Sequence, residues 1–262
     1  MQTITIGHSH LNAPIKATVI GNGKRHVLYN ASHHANEWIT TNILQKFIEA
    51  CAADLTWQQH TTLHAIPIVN PDGVALVTGK IPNESLHYHT AKALSPHTHF
   101  PNGWKANIKG VDLNSNYPAH WEDAKAYKFN QGYTHPGPRD YVGPYPLSEP
   151  ETQAMTAYTK AHDFQLTISL HTQGEEIYWK YKNYNPPGAA ALAERFAEAS
   201  GYALQNVPSE SANAGYRDWF IQTFNRPGFT IECGLGENPL PFTQFESIYK
   251  KVAPLLWEGL RG

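Results

Sequence analysis

Two potential metal ligands lie three residues apart near the start of the chain. His34 and Glu37 belong to the segment ASHHANEW, between a predicted strand and a predicted helix. Residues at positions i and i+3 at the start of a helix lie on one face, so an imidazole and a carboxylate can bind one ion. With a distant third ligand, such a pair leaves a fourth position for water, as in catalytic zinc sites. The spacing alone is not specific, because the chain has 15 histidines.

Two further residues with suitable chemistry lie at the ends of predicted strands. His171 follows the apolar run QLTISL, at a strand end, where ligands collect in open α/β sheets. Glu232 lies in GFTIECG, and a glutamate within an apolar strand is costly unless it is paired or functional. The alternatives are a backbone hydrogen bond for His171 and a buried salt bridge of Glu232 with Arg226 or Arg217. Taken with the first pair, these residues favour a metal site.

A framework of alternating strands and helices must position these side chains. Strands are predicted at 2–6, 15–20, 25–30, 64–69, 164–170 and 229–233. Helices are predicted at 37–53, 148–162, 189–200, 216–223 and 242–260, the second with Ser148 as its N-cap. Turns are expected at Gly21–Gly23, closing a hairpin, and at Asn70–Gly73. Regions 79–109 and 118–146 are expected to be irregular. The alternation predicts one α/β domain over residues 1–262, and the hairpin makes its sheet mixed.

Composition argues against several classes of function. The net charge of −2 gives no basic surface for nucleic acid, and no apolar run is long enough to suggest a membrane span. The first residues lack the pattern of a signal peptide, so a cytoplasmic location is expected. Cys51 and Cys233 fall in apolar patterns and are expected to be buried rather than reactive.

Five ordered motifs resemble those of the zinc carboxypeptidase (M14) family. They are His34-x-x-Glu37, Gly110-Val-Asp-Leu-Asn-Ser-Asn-Tyr-Pro118, Ser148-Glu-Pro-Glu-Thr152, Ser169-Leu-His171 and Thr230-x-Glu232. The resemblance covers nearly the whole chain. It implies a mixed, mostly parallel eight-stranded sheet with helices on both faces, and one zinc ion per chain held by His34, Glu37 and His171. It also implies a zinc-activated water, with Glu232 as general base and then acid.

Other segments resemble a particular branch of the family, the bacterial γ-D-glutamyl-L-diamino acid endopeptidases and murein peptide amidases. These segments are Trp104–Asn107, Gly215–Gln222, Arg226–Glu232 and Gly234–Leu240. The resemblance implies a peptidoglycan stem peptide as substrate. The bond cleaved would join γ-D-glutamate to meso-diaminopimelate.

Around the metal, the chain departs from the family pattern at two positions. Lys105 stands where the family has an arginine after the tryptophan, so it would supply the cation for the oxyanion without a bidentate fork. A solvated surface lysine is the alternative. Asn114 matches the family asparagine that helps to bind a terminal carboxylate, but the arginine that normally follows is Ser115. This loss argues against strict removal of C-terminal residues.

Three more residues are candidates for substrate binding. The resemblance puts Arg217 at the base of the pocket for the residue after the cleaved bond, where it would favour an anionic side chain. The alternative is an ion pair with Asp218 or Glu210. Arg139 would contact another substrate carboxylate or be solvated. Tyr216 is a candidate for the family's mobile tyrosine, whose position otherwise falls on Glu210.

Three functions follow from this reading. The first is zinc-dependent hydrolysis of the γ-D-glutamyl to diaminopimelate bond. The second is conventional removal of a C-terminal residue, which Ser115 disfavours. The third is a catalytically inactive peptide-binding module, which the four residues His34, Glu37, His171 and Glu232 disfavour.

Overall fold

A computed structural model describes residues 1–95, 99–208 and 212–261. Within these ranges eight strands form one sheet in the order β1-β2-β4-β3-β5-β8-β6-β7. The strands are β1 (Gln2–His8), β2 (Pro14–Ile20), β3 (Arg25–Ala31), β4 (Thr61–Ile66), β5 (Phe164–His171), β6 (Glu176–Tyr178), β7 (Ala203–Gln205) and β8 (Gly228–Glu232). The β1–β2, β2–β4 and β6–β8 pairs are antiparallel, and the other four pairs are parallel. The sheet is therefore mixed and mostly parallel, as predicted.

Helices cover both faces of this sheet. They are α1 (Ile39–Ala53), α2 (Pro71–Val77), α3 (Leu86–Ala93), α4 (Trp121–Asn130), α5 (Pro150–Lys160), α6 (Ala189–Ser200), α7 (Tyr216–Phe224) and α8 (Phe245–Arg261). Apolar residues of α1, α6 and α8 pack on one face and form the larger core cluster. Apolar residues of α5 and α7 pack on the other face. The α/β architecture predicted from the alternation of elements is confirmed.

The central strands are apolar on both sides because both of their faces are covered. In β3, Val27 and Tyr29 belong to the larger core cluster, whereas Leu28 belongs to the cluster on the opposite face. Successive side chains of a strand point to opposite faces, so a strand that is buried on both sides needs a continuous apolar run. The same rule explains the apolar run of β5 ahead of His171.

The predicted hairpin turn is wrong in its position. Residues 21–23 lead from β2 to β3, but these two strands are not neighbours in the sheet. The antiparallel hairpin joins β1 to β2 through the loop at 9–13, where the backbone N–H of Asn12 donates to the carbonyl of Ser9. Gly21 and Gly23 are instead packed against the backbone of residues 58–61, where a side chain would not fit. Close backbone approach therefore explains these glycines better than a turn does.

Other local predictions also need correction. Asn70 does not start a simple turn, because its side chain accepts a hydrogen bond from the Gly73 N–H and caps helix α2. Glu149, not Ser148, is the N-cap residue of α5. The two regions expected to be irregular contain helices α3 and α4, whose apolar periodicity is weak. Both cysteines are buried and free, as predicted.

The strands that matter for chemistry run in the same direction. Adjacent strands β3, β5 and β8 are parallel, so their carboxyl ends meet at one edge of the sheet. His34 follows the end of β3, His171 ends β5 and Glu232 ends β8. The topology thus gathers the predicted ligands and the predicted carboxylate at one edge. Among the described residues, no helix has both the length and the apolar character to cross a membrane.

Candidate active site

His34, Glu37 and His171 come together at this edge of the sheet. A short 3-10 turn, Ala35–Glu37, follows β3 and returns the carboxylate of Glu37 towards the ring of His34. The Nδ1 atom of His34 lies 2.8 Å from one carboxylate oxygen of Glu37, and the Nδ1 atom of His171 lies 2.9 Å from the other. All three residues are buried. The turn thus brings the i, i+3 pair together much as the sequence spacing predicts.

The three donor atoms fit a zinc ion. The Nδ1 atoms of the two histidines are 3.2 Å apart and face each other. Ligand atoms at about 2.0–2.1 Å from a tetrahedral zinc ion lie about 3.3 Å from one another, so little movement would be needed. Two imidazoles and one carboxylate are also the ligand set of well-known catalytic zinc sites. The residues present therefore suit the metal that the sequence predicts.

Asp112 orients the first ligand. Its Oδ1 atom lies 3.1 Å from Nε2 of His34, on the side of the ring opposite the donor cluster. Nε2 donates a hydrogen bond to Asp112, and a carboxylate behind a histidine ligand is a recurring arrangement in metal sites. Burial raises the pKa of the Asp112 carboxyl, but the neighbouring positive groups His34 and Lys105 outweigh burial and hold the pKa well below its usual range.

Glu232 faces the same space from the neighbouring strand. Its Cα pairs with that of His171 in the parallel register of β5 and β8. Burial raises the pKa of Glu232 to about 8, and the negative charge of Glu37 adds to the increase. A carboxylate whose pKa lies near neutral pH can both accept and return a proton. This environment suits a general base beside a metal centre.

Lys105 supplies a positive charge next to the ligands. Its Nζ lies 3.5 Å from Oε1 of Glu37, and its side chain is 21% exposed. Burial lowers the pKa of Lys105, but the carboxylates of Glu37 and Asp112 outweigh this effect and raise the pKa. The lysine is therefore charged at neutral pH. It is not the freely solvated surface lysine that was the alternative from sequence.

A cavity of about 560 Å³ opens over these residues. It is lined by all three potential ligands and by Lys105, Asn114, Arg139, Arg217 and Glu232. Three cationic side chains thus share one cavity with the three potential metal ligands. No local sequence pattern shows this convergence, because the three residues lie on separate loops and a helix start; the family resemblance implies it for Lys105 and Arg217.

Arg217 takes part in an ion pair and lines the cavity at the same time. Its Nε donates to Oδ1 of Asp218 at 3.0 Å, and its Nη2 makes a second, shorter contact with the same oxygen. Among the described residues, Nη1 of Arg217 has no hydrogen-bond partner. The arginine is therefore fixed by Asp218, and the rest of its fork stays available. Glu210, the other partner considered, lies outside the described residues.

Asn114 and Arg139 complete the polar lining. The Oδ1 of Asn114 accepts the backbone N–H of Tyr216 at 3.1 Å, which leaves the amide nitrogen for another acceptor. Arg139 donates from Nε to Oδ2 of Asp140 at 2.5 Å, and its side chain is 51% exposed. Both residues also line a smaller adjoining cavity of about 230 Å³. Arg139 thus stands between two cavities rather than on a remote loop.

The structure does not bring the Tyr216 side chain into the cavity. The residue is fully buried, and its hydroxyl lies 2.8 Å from Oγ1 of Thr159 on helix α5. Its ring packs against Tyr117 and Trp219. The expected substrate-binding role of this side chain is therefore corrected to a role in the core, where an amphipathic tyrosine can bury its ring and still pair its hydroxyl.

Two residues near the site were not predicted from sequence. Asp112 lies within the Gly110–Pro118 motif and just before a 3-10 turn. Its place in that motif was the signal that could have identified it as a residue of the site. Tyr178 lines the cavity from β6, where it pairs with Thr230 of β8. Its strand has only three residues, too few for a sequence pattern to detect.

Comparison with known sequences agrees with the geometry. The sequence model of the zinc carboxypeptidase family (M14 peptidases) matches residues 1–254. Gamma-D-glutamyl-L-diamino acid endopeptidase 1 of Lysinibacillus sphaericus is 42% identical to this chain over 272 residues. That alignment covers 99% of this chain and 67% of the relative.

Solved structures show the same fold. Bovine thrombin-activatable fibrinolysis inhibitor aligns with a TM-score of 0.73 at 20% identity, over 99% of this chain and 89% of the other. Murein-tripeptide amidase MpaA from Escherichia coli O157 aligns with a TM-score of 0.67 at 21% identity, over 100% and 92%. The family match covers nearly the whole sequence, and the sheet has the expected mixed topology. The chain therefore belongs to the zinc carboxypeptidase family of metallopeptidases.

Proposed function

We propose that this protein hydrolyses the bond between γ-D-glutamate and meso-diaminopimelate in peptidoglycan stem peptides, using one catalytic zinc ion per chain. The observation that carries the proposal is the presence of Lys105, Arg139 and Arg217 in one cavity with the zinc-ligand cluster. A stem peptide carries several carboxylates near this bond, and cationic side chains recognise carboxylates by charge-assisted hydrogen bonds. The similarity to an enzyme named as a gamma-D-glutamyl-L-diamino acid endopeptidase supports the same substrate class.

The metal would be held by His34, Glu37 and His171. Zinc bound there would supply Lewis-acid chemistry, polarising a carbonyl oxygen and lowering the pKa of water. Asp112, which accepts a hydrogen bond from Nε2 of His34, would keep Nδ1 of that ring directed towards the metal. The ligand atoms lie in a buried pocket at the base of the cavity, and low solvent exposure strengthens electrostatic interactions there.

Glu232 would move the proton. Glu232 would take a proton from the attacking water and return it to the leaving amine. Burial and the nearby charge of Glu37 raise the pKa of its carboxyl to about 8, which makes the carboxylate a stronger base. Its fixed place at the end of β8, beside the end of β5, keeps it next to the ligand strand. Rigid placement on a strand limits the reorganisation that the reaction requires.

Lys105 would stabilise the negative charge that develops on the carbonyl oxygen. Its Nζ lies 3.5 Å from Oε1 of Glu37, next to the zinc-ligand residues. A point charge without a bidentate fork can still stabilise an oxyanion. With Glu37 engaged by the metal, Lys105 would be free to turn towards the substrate oxygen.

Arg217, Asn114 and Arg139 would bind the two sides of the substrate. Arg217 is held by Asp218 and would receive the side-chain carboxylate of diaminopimelate. Asn114, with its amide nitrogen available, would donate to the backbone carboxylate or amide of the same residue. Arg139, between the two cavities, would contact the α-carboxylate of D-glutamate.

The test is hydrolysis of L-Ala-γ-D-Glu-meso-diaminopimelate by the purified protein with zinc. We expect release of diaminopimelate by the wild type and a loss of activity of about 10³-fold or more in Glu232→Gln. Glu175→Gln is the matched control, because Glu175 pairs with Lys251 outside the cavity. If the wild type releases no diaminopimelate, or if Glu232→Gln is as active as the control, the proposal fails.

The same assay separates the competing functions. A peptide with an amidated C-terminus should still be cleaved by an endopeptidase, whereas a conventional carboxypeptidase requires a free carboxylate. An inactive peptide-binding module would hold no zinc at His34, Glu37 and His171 and would release no product. The cytoplasmic location expected from sequence remains part of the proposal, and fractionation of the producing cells tests it.

A further inference from the structure

A second group of potential metal ligands lies outside the catalytic cavity. We propose that His10, Glu149 and Glu151 form a structural site for a divalent transition-metal ion. Each residue offers one ligand atom, and these atoms all lie within 4.8 Å of one another. The Nε2 atom of His10 is 2.8 Å from Oε2 of Glu149. None of the three residues lines the cavity described above.

The two carboxylates of this group are buried side by side. The side chain of Glu149 is 6% exposed, and Glu151 is fully buried. The amide nitrogen of Asn107 lies 2.7 Å from Oε2 of Glu149 and 3.4 Å from Oε2 of Glu151. Among the described residues, the buried Oε1 of Glu151 has no hydrogen-bond partner. An unpaired buried carboxylate oxygen is costly, and a cation beside it would remove that cost.

The surrounding structure holds the potential ligands in place. His10 lies in the loop between β1 and β2, and the residues before and after it both donate hydrogen bonds to the carboxylate of Asp72. Ser9 Oγ and Leu11 N each donate to Asp72 at 2.8 Å. On the other side, Ser148 Oγ donates to Oε1 of Glu149 at 2.7 Å. Fixed ligands of this kind favour metal binding, because little order has to be gained on binding.

The ligand types indicate the class of ion. One imidazole and two carboxylates suit a transition-metal ion such as Zn²⁺ or Mn²⁺ better than Ca²⁺, which takes six to eight oxygen ligands. The side chain of His10 is 26% exposed, which gives an ion a path to the site from solvent. Water would complete the coordination on that side. The ion would also offset the negative charge of the two buried carboxylates.

The site would connect three segments that are distant in sequence. The site joins the β1–β2 loop, which carries His10, to the start of α5, which carries Glu149 and Glu151. The side-chain amide of Asn107 contacts Glu149 and so adds a third segment. The Asn107 carbonyl accepts the indole N–H of Trp104 at 3.1 Å, and Lys105 lies between these two residues. A bound ion would therefore stabilise the segment that carries Lys105. This is a positioning role, distinct from the zinc chemistry proposed for the catalytic cavity.

Metal content tests the proposal. Chelator-treated full-length protein is dialysed against Zn²⁺, and bound zinc is measured by mass spectrometry. We expect two ions per chain in the wild type, and one in His10→Ala and in Glu151→Gln. His8→Ala, on the exposed end of β1, is the matched control and should retain two. A repeat with Mn²⁺ tests whether the site accepts the second ion.

Further measurements separate this site from the catalytic one. His34→Ala should lose the other ion, so the double variant with His10→Ala should bind none. Thermal unfolding of His34→Ala should still shift upwards on adding zinc, on the order of 5 °C at hundredfold excess over the dissociation constant. Equal zinc content in His10→Ala, Glu151→Gln and the wild type would overturn the proposal. If the catalytic site failed instead, the wild type would hold one ion, which His10→Ala would lose and His34→Ala would keep.

Discussion

The substitution Asp112→Asn tests whether the hydrogen bond from His34 to Asp112 supports zinc binding. The Oδ1 atom of Asp112 accepts the Nε2 hydrogen of His34, and the backbone N–H of Asn114, each at 3.1 Å. Its Oδ2 atom accepts the backbone N–H of Asp140 at 3.2 Å. Asparagine keeps the shape of the side chain but removes the charge and one acceptor. We therefore expect two separable effects, one on zinc affinity and one on stability.

The size of each effect follows from these contacts. Loss of a carboxylate that orients a histidine ligand typically weakens metal binding about 10–100-fold, which corresponds to about 1.4–2.7 kcal/mol. If the amide oxygen replaces Oδ1, the amide nitrogen faces the N–H of Asp140, and two donors then meet. A buried donor left unpaired costs about 1–3 kcal/mol of the free energy of unfolding. The zinc-free protein should show this second loss alone.

Zinc affinity is measured by competition with a chromophoric chelator, and stability by urea unfolding of the zinc-free protein. Asp140→Asn is the matched control: Asp140 is also a buried carboxylate, but its side chain pairs with Lys128 and Arg139 and does not contact His34. It should lose stability and keep its zinc affinity. If Asp112→Asn binds zinc as tightly as this control, the argument that Asp112 orients the ligand is refuted.

Three further substitutions test packing, pH dependence and specificity. A Cβ at Gly259 would collide with the hydroxyl of Tyr29, so Gly259→Ala should lower the free energy of unfolding by about 1–3 kcal/mol. Adding Tyr29→Phe removes that hydroxyl and should recover part of the loss. Equal losses in the single and double variants would contradict this explanation. Burial, with the positive charges of His162 and His26, lowers the pKa of His64 from 6.5 to about 3, so the unfolded chain binds a proton that the folded one excludes. Stability should therefore fall as the pH drops below about 6.5, by about 2 kcal/mol from this group at pH 5, and His64→Gln should flatten that slope in urea unfolding. Arg217→Ala should reduce kcat/KM roughly 10–100-fold for a diaminopimelate peptide. The reduction should be far smaller for the same peptide with L-lysine, which lacks the side-chain carboxylate. Equal reductions for the two peptides would show that Arg217 has a purely structural role.

Continuous apolar runs locate the central strands, because both faces of those strands are buried. The run predicted at 64–69, however, corresponds to β4 at Thr61–Ile66, three residues earlier. The run ahead of His171 had to be continuously apolar, so its prediction as 164–170 differs from the observed strand by one residue. Helix α6 is predicted with its observed bounds, since its apolar residues recur at helical spacing. Short or weakly periodic elements escaped prediction. The three-residue strands β6 and β7 exist only because neighbouring strands pair with them.

Several features of the site depend on contacts that no local pattern records. Tyr216 is adjacent to Arg217 in sequence, yet its side chain is directed into the core by Thr159 on another helix. Outside the site, Gly21 and Gly23, which were predicted to form a hairpin turn, pack against the backbone of residues 58–61. In each case the decisive partner is distant in the chain, so propensity and spacing could not identify it.

The sequence by itself determined the chemistry: the types and order of His34, Glu37, His171 and Glu232, and the strand ends that carry three of them. It could do so because the ends of parallel strands meet at one edge, which makes chain order a guide to position. The sequence offered Lys105, Arg139 and Arg217 as candidates, but only the tertiary structure shows that all three line one cavity. Lys105 and Arg217 lie more than a hundred residues apart, on a loop and in the first turn of α7, and the tertiary fold brings both to the cavity over the zinc-ligand residues.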